Sequence, residues 1–190
     1  PAHGAPLRAM LADCQRHPMH RLVPAAPMPH KPARVIRFHW EDFPLGASRS
    51  FGAMPVTREA TLAFAREFDP QPFHLDDVAA RKTMFAGLAA SGWHTAAITM
   101  RLQVESGLPI IGGIIGAGGE IQWPQPMRPG DVLHVESEVL EVKPSRSRPD
   151  LGRLIVRSET RNQRGEVVQI LIAKLVAPRR PASTVEFSSN

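Results

Sequence analysis

One long apolar helical pattern followed by four strand-like runs restricts the folds open to this chain. Residues 92–105 are apolar almost all round, with Trp93, Ile98 and Leu102 among the large side chains. A helix with that pattern is normally buried inside a protein. The strand-like runs follow with short links between them, at residues 110–123, 132–142, 151–162 and 167–177. Short links favour antiparallel pairing, so we expect an α+β fold in which one sheet curls around one helix.

Turn and cap residues mark the ends of these elements. Proline and glycine between the runs fit tight turns, most clearly in the RPGD stretch at residues 128–131. A further run at residues 48–53 predicts an early strand, which raises the sheet to at least five strands. Thr57 suits the N-cap of a helix that Pro70 ends, and Ser91 suits the N-cap of the long helix.

Length and texture indicate one domain with an arm and a tail. The 190 residues suit a single domain, since a domain has roughly 100–200 residues. Residues 1–34 are rich in proline and lack apolar periodicity, so we expect an arm or linker there, without a signal for export. Residues 35–178 are predicted to form the domain, and residues 179–190 are predicted to form a tail.

Charge and cysteine content argue against several classes of function. The net charge of +5 is not concentrated in one basic helix or stripe, which disfavours nucleic-acid binding. No apolar run reaches the length of about 18 residues that a membrane span needs. Cys14 is the single cysteine, so no intramolecular disulfide is expected, and a cytoplasmic location is predicted. No metal is expected, because the histidines of the arm lack the spacing of a metal site: His3, His17, His20 and His30.

The stretch DPQPFH at residues 69–74 carries the side chains best suited to chemistry. Its two prolines are expected to prevent helix formation, and Asp69 and His74 lie five positions apart. A carboxylate and an imidazole so placed can hold one water molecule between an acid and a base. Either residue alone would more often be structural. Gly92 at the start of the long helix, 18 residues after His74, makes catalysis the preferred interpretation.

These residues resemble the motif of the MaoC-like dehydratases, the hotdog-fold group that includes the (R)-specific enoyl-CoA hydratases. The resemblance covers residues 43–177 and includes the RPGD turn. Gln71 stands where the family usually has asparagine, and Ser91 stands where a histidine commonly precedes the glycine. The positions that correspond to the motif are Asp69, Gln71, Pro72, Phe73, His74 and Gly92.

The resemblance implies a hotdog fold and the reversible hydration of a 2-enoyl-CoA or a related thioester. Asp69 and His74 would form the acid–base pair, and the N–H of Gly92 at a helix N-terminus would stabilise the enolate-like oxygen. Coenzyme A is then part of the substrate, and no separate cofactor is expected. Family members typically pair as dimers, so a homodimer or a higher homo-oligomer is expected as well.

Further residues are expected to contact the substrate. Gln71 lies between Asp69 and His74, and Ser91 and His94 lie beside Gly92, so all three are candidates for substrate contact; packing is the favoured role of His94, and helix capping is the favoured role of Ser91. Arg146 and Arg148 belong to a basic hairpin whose charges suit the phosphates of coenzyme A. The alternative for this hairpin is a solvated charged loop.

Two other functions compete with hydration. A hotdog thioesterase commonly carries a catalytic carboxylate within the central helix, and residues 92–104 contain none. A non-catalytic acyl-CoA-binding subunit would be expected to have lost Asp69 or His74, and both are present. Hydration is therefore the preferred function.

Two remaining features are predicted to serve the fold. The glycine-rich stretch at residues 112–119 lacks a following helix, so it predicts a bulged strand instead of a nucleotide-binding loop. Trp93 and Trp123 are most simply core residues.

Overall fold

A five-stranded antiparallel sheet forms the centre of the structure, a computed structural model that describes residues 37–181. The strands lie in the spatial order β1-β3-β4-β5-β2, and every neighbouring pair is antiparallel. The predicted α+β class and the expected minimum of five strands are confirmed. The bounds are β1 (Ser48–Pro55), β2 (Ile115–Gln122), β3 (Val132–Pro144), β4 (Leu151–Arg161) and β5 (Val167–Pro178).

The predicted arm and most of the predicted tail lie outside the described residues. The arm was placed at residues 1–34, and the tail includes residues 182–190. The domain limits at residues 35 and 178 therefore stay predictions.

In the described part of the chain, helices connect β1 to β2: α1 (Arg58–Phe68), α2 (Pro72–Leu75), α3 (Asp77–Arg81) and α4 (Gly92–Leu102). A π-helical turn, Gln103–Gly107, extends α4. The predicted caps are confirmed, since the Thr57 hydroxyl accepts the N–H of Ala60 at 3.1 Å and the Ser91 hydroxyl accepts the N–H of Trp93 at 3.2 Å. Among residues 37–181, no helix is long and apolar enough to span a membrane.

β2 begins later than the sequence pattern indicates. The chain turns at residues 111–113, where Gly112 and Gly113 adopt positive φ angles of 80° and 97°. Between Gly116 and Gly119 the pairing of β2 with β5 shifts register. This shift confirms the predicted bulged strand.

The side of α4 and its π-helical turn that faces the sheet carries buried polar residues beside the apolar Ile98 and Leu102, which the apolar pattern does not predict. Thr99 shares a hydrogen bond of 2.6 Å with Thr160 of β4, and Gln103 donates to Ser158 at 2.9 Å. All four side chains are buried. Because these groups satisfy one another, the helix packs on the sheet without the free-energy cost of unpaired polar atoms.

The opposite side of α4 is open in a single chain. The exposed fractions are 60% for Trp93, 44% for Met100 and 65% for Val104, and Trp123 is 39% exposed. The prediction that the helix is buried is therefore wrong for this side of it in a single chain. The prediction that Trp93 and Trp123 are core residues is wrong for the same reason: one sheet covers only one side of a helix, and a second surface is needed for the other.

Candidate functional site

Asp69 and His74 lie on either side of a break between two helices. α1 ends at Phe68, and Asp69 leaves the helical conformation. α2 begins at Pro72, which corrects the prediction that the two prolines prevent helix formation. Proline fits the first position of a helix, because its missing N–H would have no partner there and its φ is already helical. The single turn of α2 brings His74 back to Asp69.

The carboxylate of Asp69 and the imidazole of His74 are in direct contact. Oδ2 of Asp69 lies 3.3 Å from Nε2 of His74, and the two side chains are 17% and 6% exposed. On the other side of the ring, Nδ1 lies 2.8 Å from the carbonyl oxygen of Ala89. Because a carbonyl only accepts hydrogen bonds, Nδ1 carries the proton. Nε2 is therefore the nitrogen that can exchange a proton beside the carboxylate.

Neighbouring groups keep Asp69 ionised. Burial raises the pKa of Asp69, but hydrogen bonds from Ser91 and Gln71 and the nearby imidazole of His74 lower it, and the net pKa lies below its usual value. Nε2 of Gln71 donates to Oδ1 of Asp69 at 2.7 Å. Hydrogen-bond donors favour the charged form of a carboxyl group. At neutral pH the pair therefore contains a carboxylate that can act as a base.

Gly92 begins α4 beside this pair. As the first residue of a helix, it has an N–H without a partner inside the helix, at the end where the helix dipole favours negative charge. A methyl group added at Gly92 would lie 2.7 Å from two atoms of the Trp123 indole. Trp123 is held there by a hydrogen bond of 3.0 Å from its Nε1 to Gln169. The packing of Trp123 against the start of α4 therefore requires glycine at position 92, because any side chain there would clash with the indole.

A cavity of about 580 Å³ lies beside the acid–base pair and the N-terminus of α4. Gln71, His74 and Gly92 line it, together with the buried side chains of Thr95 and Met127, and Asp69 adjoins this lining through its contacts with Gln71 and His74. A concave, largely apolar site with a few polar groups is typical of ligand binding. Within residues 37–181, no group of three or more His, Cys, Asp or Glu side chains is arranged to hold a metal ion. A second cavity, of about 330 Å³, lies at the other end of α4 and contains none of the predicted site residues.

Ser91 and His94 lie behind the cavity wall instead of in it. Ser91 caps α4, and its hydroxyl also lies close enough to Asp69 to lower the pKa of that carboxyl group. His94 is buried, and its ring stacks on Phe64 with 4.7 Å between centroids. Its Nδ1 is buried without a hydrogen-bond partner in the described part of the chain, and burial lowers the pKa of His94. The geometry favours packing for His94 and capping for Ser91 over substrate contact.

Arg146 and Arg148 lie in the turn between β3 and β4, away from the cavity of the same chain. Both side chains are exposed, and Arg148 is paired with Asp150 through bonds of 2.8 and 3.0 Å. The cavity includes Arg128, which precedes β3, whereas the turn follows the other end of this strand. β3 has 13 residues and a length of about 40 Å along the strand. One chain therefore does not bring these arginines and the acid–base pair together.

Sequence reasoning misses most of the other residues of the cavity, Met127 and Arg128 among them, and assigns Trp123 to the core. The RPGD sequence predicts a turn and carries no sign of what the arginine contacts. In the structure the guanidinium group of Arg128 lines the cavity and donates to the carbonyls of Phe85 and Leu88. A usable signal is the loop position of these residues, because loops between strands commonly carry binding residues.

The amino-acid sequence is similar to a known domain family and to a bacterial protein. The MaoC-like domain family matches residues 43–159 of the chain. The uncharacterised protein YdeM of Bacillus subtilis (strain 168) is 36% identical over 127 residues, which are 65% of this chain and 87% of YdeM.

Solved structures share the fold. A MaoC-like dehydratase from Rhodospirillum rubrum superposes with a TM-score of 0.74 and 59% identity, covering 76% of this chain and 99% of that protein. The R-hydratase PhaJ1 from Pseudomonas aeruginosa, in its unliganded form, superposes with a TM-score of 0.59 and 27% identity, covering 76% of this chain and 88% of PhaJ1. The expected hotdog fold is therefore confirmed. Because the family match extends over most of the described residues, the chain belongs to the MaoC-like dehydratase family of the hotdog superfamily.

Proposed function

We propose that the protein adds water reversibly to the double bond of a 2-enoyl-CoA, giving a 3-hydroxyacyl-CoA. The observation that carries the proposal is the contact of 3.3 Å between Asp69 and His74 at a cavity that also includes the N-terminus of α4. The relatives support it, since one similar structure is a MaoC-like dehydratase and another is an R-hydratase. Asp69, His74 and Gly92 are the proposed catalytic groups.

Hydration needs three functions that these groups can supply. A base removes a proton from water as the water oxygen bonds to C3, an acid delivers a proton to C2, and a donor stabilises the enolate-like thioester oxygen in between. Asp69 and His74 supply the proton transfers, which are usually worth about 10²- to 10⁴-fold in rate. The N–H of Gly92 supplies the donor. We assign acid and base to the pair as a unit, because two groups in contact titrate together.

The direct test is a hydration assay of the full chain with crotonyl-CoA, followed by longer and branched 2-enoyl-CoAs. Hydration removes the conjugation of the thioester, so its absorbance is expected to fall without release of free thiol. Release of thiol without hydration would indicate a thioesterase. Binding of the acyl-CoA in calorimetry, with neither reaction, would indicate a non-catalytic subunit, and either result would contradict the proposal.

Thioester hydrolysis has less support at this site. α4 carries no carboxylate among its residues. Glu105, in the π-helical turn that follows, is exposed and paired with Arg101 at 2.8 Å. A helix-borne nucleophile or base of the thioesterase kind is therefore missing from α4 and its extension.

We propose that two chains pair through the open side of α4 and the edge strand β2. Trp93 and Met100 are exposed, and they line a shallow groove with Gly116 and Gly118 of β2. An edge strand beside exposed apolar side chains is typical of a surface that pairs with another chain. A cytoplasmic location stays a prediction.

The pairing surface predicts an effect of charge on assembly. Met100→Glu is expected to weaken a dimer seen by sedimentation velocity, because the carboxylate would lose its water on association. Leu45→Glu is the matched control, since Leu45 is 70% exposed and lies outside the groove. A monomer at all concentrations, or equal weakening by both changes, would contradict this surface.

Replacing Gln71 by leucine is expected to raise the pKa of Asp69, because the amide donor to Oδ1 is lost. If turnover needs the carboxylate, activity falls as the pH falls through this pKa. The acidic limb of the pH profile of kcat/KM therefore moves to higher pH in Gln71→Leu. The measurement is the hydration rate of one enoyl-CoA at a series of pH values.

Gln125→Leu is the control for this change. It removes an amide from the same cavity, and Gln125 makes no hydrogen bond to Asp69 in the described structure. Its acidic limb should coincide with that of the wild type. Coincident limbs in all three proteins would show that Gln71 does not tune Asp69.

A further inference from the structure

The guanidinium group of Arg128 is tied to the backbone of another segment at the border of the candidate site. Nη2 donates to the carbonyl oxygen of Phe85 at 2.6 Å, and Nη1 donates to that of Leu88 at 3.1 Å. The side chain is half-buried and lines the cavity. Its own backbone is fixed, since the N–H of Arg128 donates to Oδ2 of Asp131 at 2.8 Å. A well-anchored turn before β3 therefore holds two carbonyls of a distant segment.

That segment, residues 82–91 between α3 and α4, is named here the 82–91 loop. It forms neither helix nor strand, and Ala86 adopts a φ of 53°, a conformation that residues with a side chain rarely accept. Such a conformation persists where surrounding groups hold it. The carbonyls of Phe85 and Leu88 lie on either side of Ala86 in the chain, so the two bonds from Arg128 bracket the strained residue.

The same loop orients His74. The carbonyl of Ala89 accepts the hydrogen bond of 2.8 Å from Nδ1 of His74. The peptide unit directly before it contains the Leu88 carbonyl, held by Arg128 at 3.1 Å, and the Ala89 N–H, which has a longer bond of 3.4 Å to the carbonyl of Phe73. Arg128 is the stronger of these two restraints, because its donor is charged and its bond is shorter. The next peptide unit, which contains the Ala89 carbonyl itself, is held by a bond of 2.8 Å from the Ala90 N–H to the carbonyl of Met127, the residue before Arg128.

We infer that Arg128 is a positioning residue, which holds the 82–91 loop so that the Ala89 carbonyl keeps the proton of His74 on Nδ1 and turns Nε2 toward Asp69. The predicted effect of Arg128 on the hydration rate rests on the proposed function. Its predicted effect on the tautomer of His74 does not depend on that function. The planar fork of arginine suits the task, since it spans two carbonyls that the single ammonium group of lysine cannot hold in the same geometry.

The kinetic test compares Arg128→Met and Arg128→Lys with Arg164→Met as the matched control. Arg164, in the turn between β4 and β5, contacts the other oxygen of Asp131 at 3.1 Å, so its loss removes one positive charge beside the turn of Arg128 without touching the loop. In Arg128→Met, kcat for hydration is expected to fall about 10- to 100-fold with KM nearly unchanged, because a displaced reacting group costs rate more than affinity. Arg128→Lys should recover part of the loss, and Arg164→Met should keep the wild-type kcat.

Nitrogen NMR shifts of the His74 ring give a reading that needs no turnover. The wild type and Arg164→Met are expected to show the Nδ1–H tautomer, and Arg128→Met is expected to show a mixture of tautomers. This reading decides the inference even if the chain does not hydrate enoyl-CoA, in which case only the proposed function fails. If Arg128→Met does not fold, the same reading on Arg128→Lys decides it.

Two results would overturn the inference. One is an unchanged His74 tautomer in both Arg128 variants. The other is a salt-dependent rise of KM with kcat unchanged in Arg128→Met, which would make Arg128 a contact for the phosphates of the substrate.

Discussion

Replacing Asp69 by asparagine is expected to lower kcat/KM for hydration of a 2-enoyl-CoA by about 10²- to 10⁴-fold, the usual worth of a positioned proton-transfer group. Asparagine keeps the shape of the side chain but removes the basic oxygen that faces Nε2 of His74 at 3.3 Å. It also places an amide where Gln71 donates to Oδ1 at 2.7 Å. The loss should appear in kcat, since the carboxylate acts on the reacting atoms and not on the bulk of coenzyme A.

His74→Gln should cause a loss of similar size, and the double variant should be little worse than either single one. Groups that act as a unit are not additive, because removing either one disables both. Glu67→Gln is the control, since Glu67 is an exposed carboxylate two residues before Asp69. Near-full activity in both single variants would show that the reaction does not use this pair. Multiplicative losses in the double variant would show that the two residues act separately.

Gly92→Ala is expected to lower kcat by about 10²- to 10³-fold, the loss typical of a missing oxyanion donor. The added methyl group would lie 2.7 Å from two atoms of the Trp123 indole, so the helix end and the indole cannot both stay in place. Trp123 has little freedom to move, because its Nε1 bonds to Gln169 at 3.0 Å and its ring packs edge-on against Trp93 with 5.3 Å between centroids. The N–H of residue 92 is then displaced from the thioester oxygen.

Two comparisons separate this effect from a general cost of added bulk. Ala63→Leu is the control, because it adds bulk at an exposed helical position outside both the cavity and the pairing groove. Trp123→Ala in the Gly92→Ala background removes the clash, so the double variant should be faster than Gly92→Ala alone. Full activity in Gly92→Ala would exclude the proposed role of this helix end.

The predictable parts of the fold are those governed by neighbours in the chain. The capping hydroxyls of Thr57 and Ser91 act on N–H groups two or three residues away, and both were predicted correctly. The prediction that the prolines of residues 69–74 prevent helix formation is wrong, because Pro72 starts a helix. The bulge in β2 was predicted from its glycines.

The helix α4 shows where such reasoning stops. Its periodicity predicts a helix, but the pattern does not show that Thr99 and Gln103 face the sheet, since their partners Thr160 and Ser158 are more than 50 residues away in the chain. It also does not show that one sheet leaves Trp93 uncovered. Side-chain pairing between distant segments has no periodic signature.

The residue order alone therefore determined the α+β class, the order of the elements and the motif of Asp69, His74 and Gly92, because each depends on spacing along the chain. Only the tertiary structure decided that Ala89 holds the proton of His74 on Nδ1, and that Arg128 grips the 82–91 loop. It also separated Arg146 and Arg148 from the cavity by the length of β3. These facts depend on which distant segments of the chain come into contact, and only the packing of the whole domain decides that.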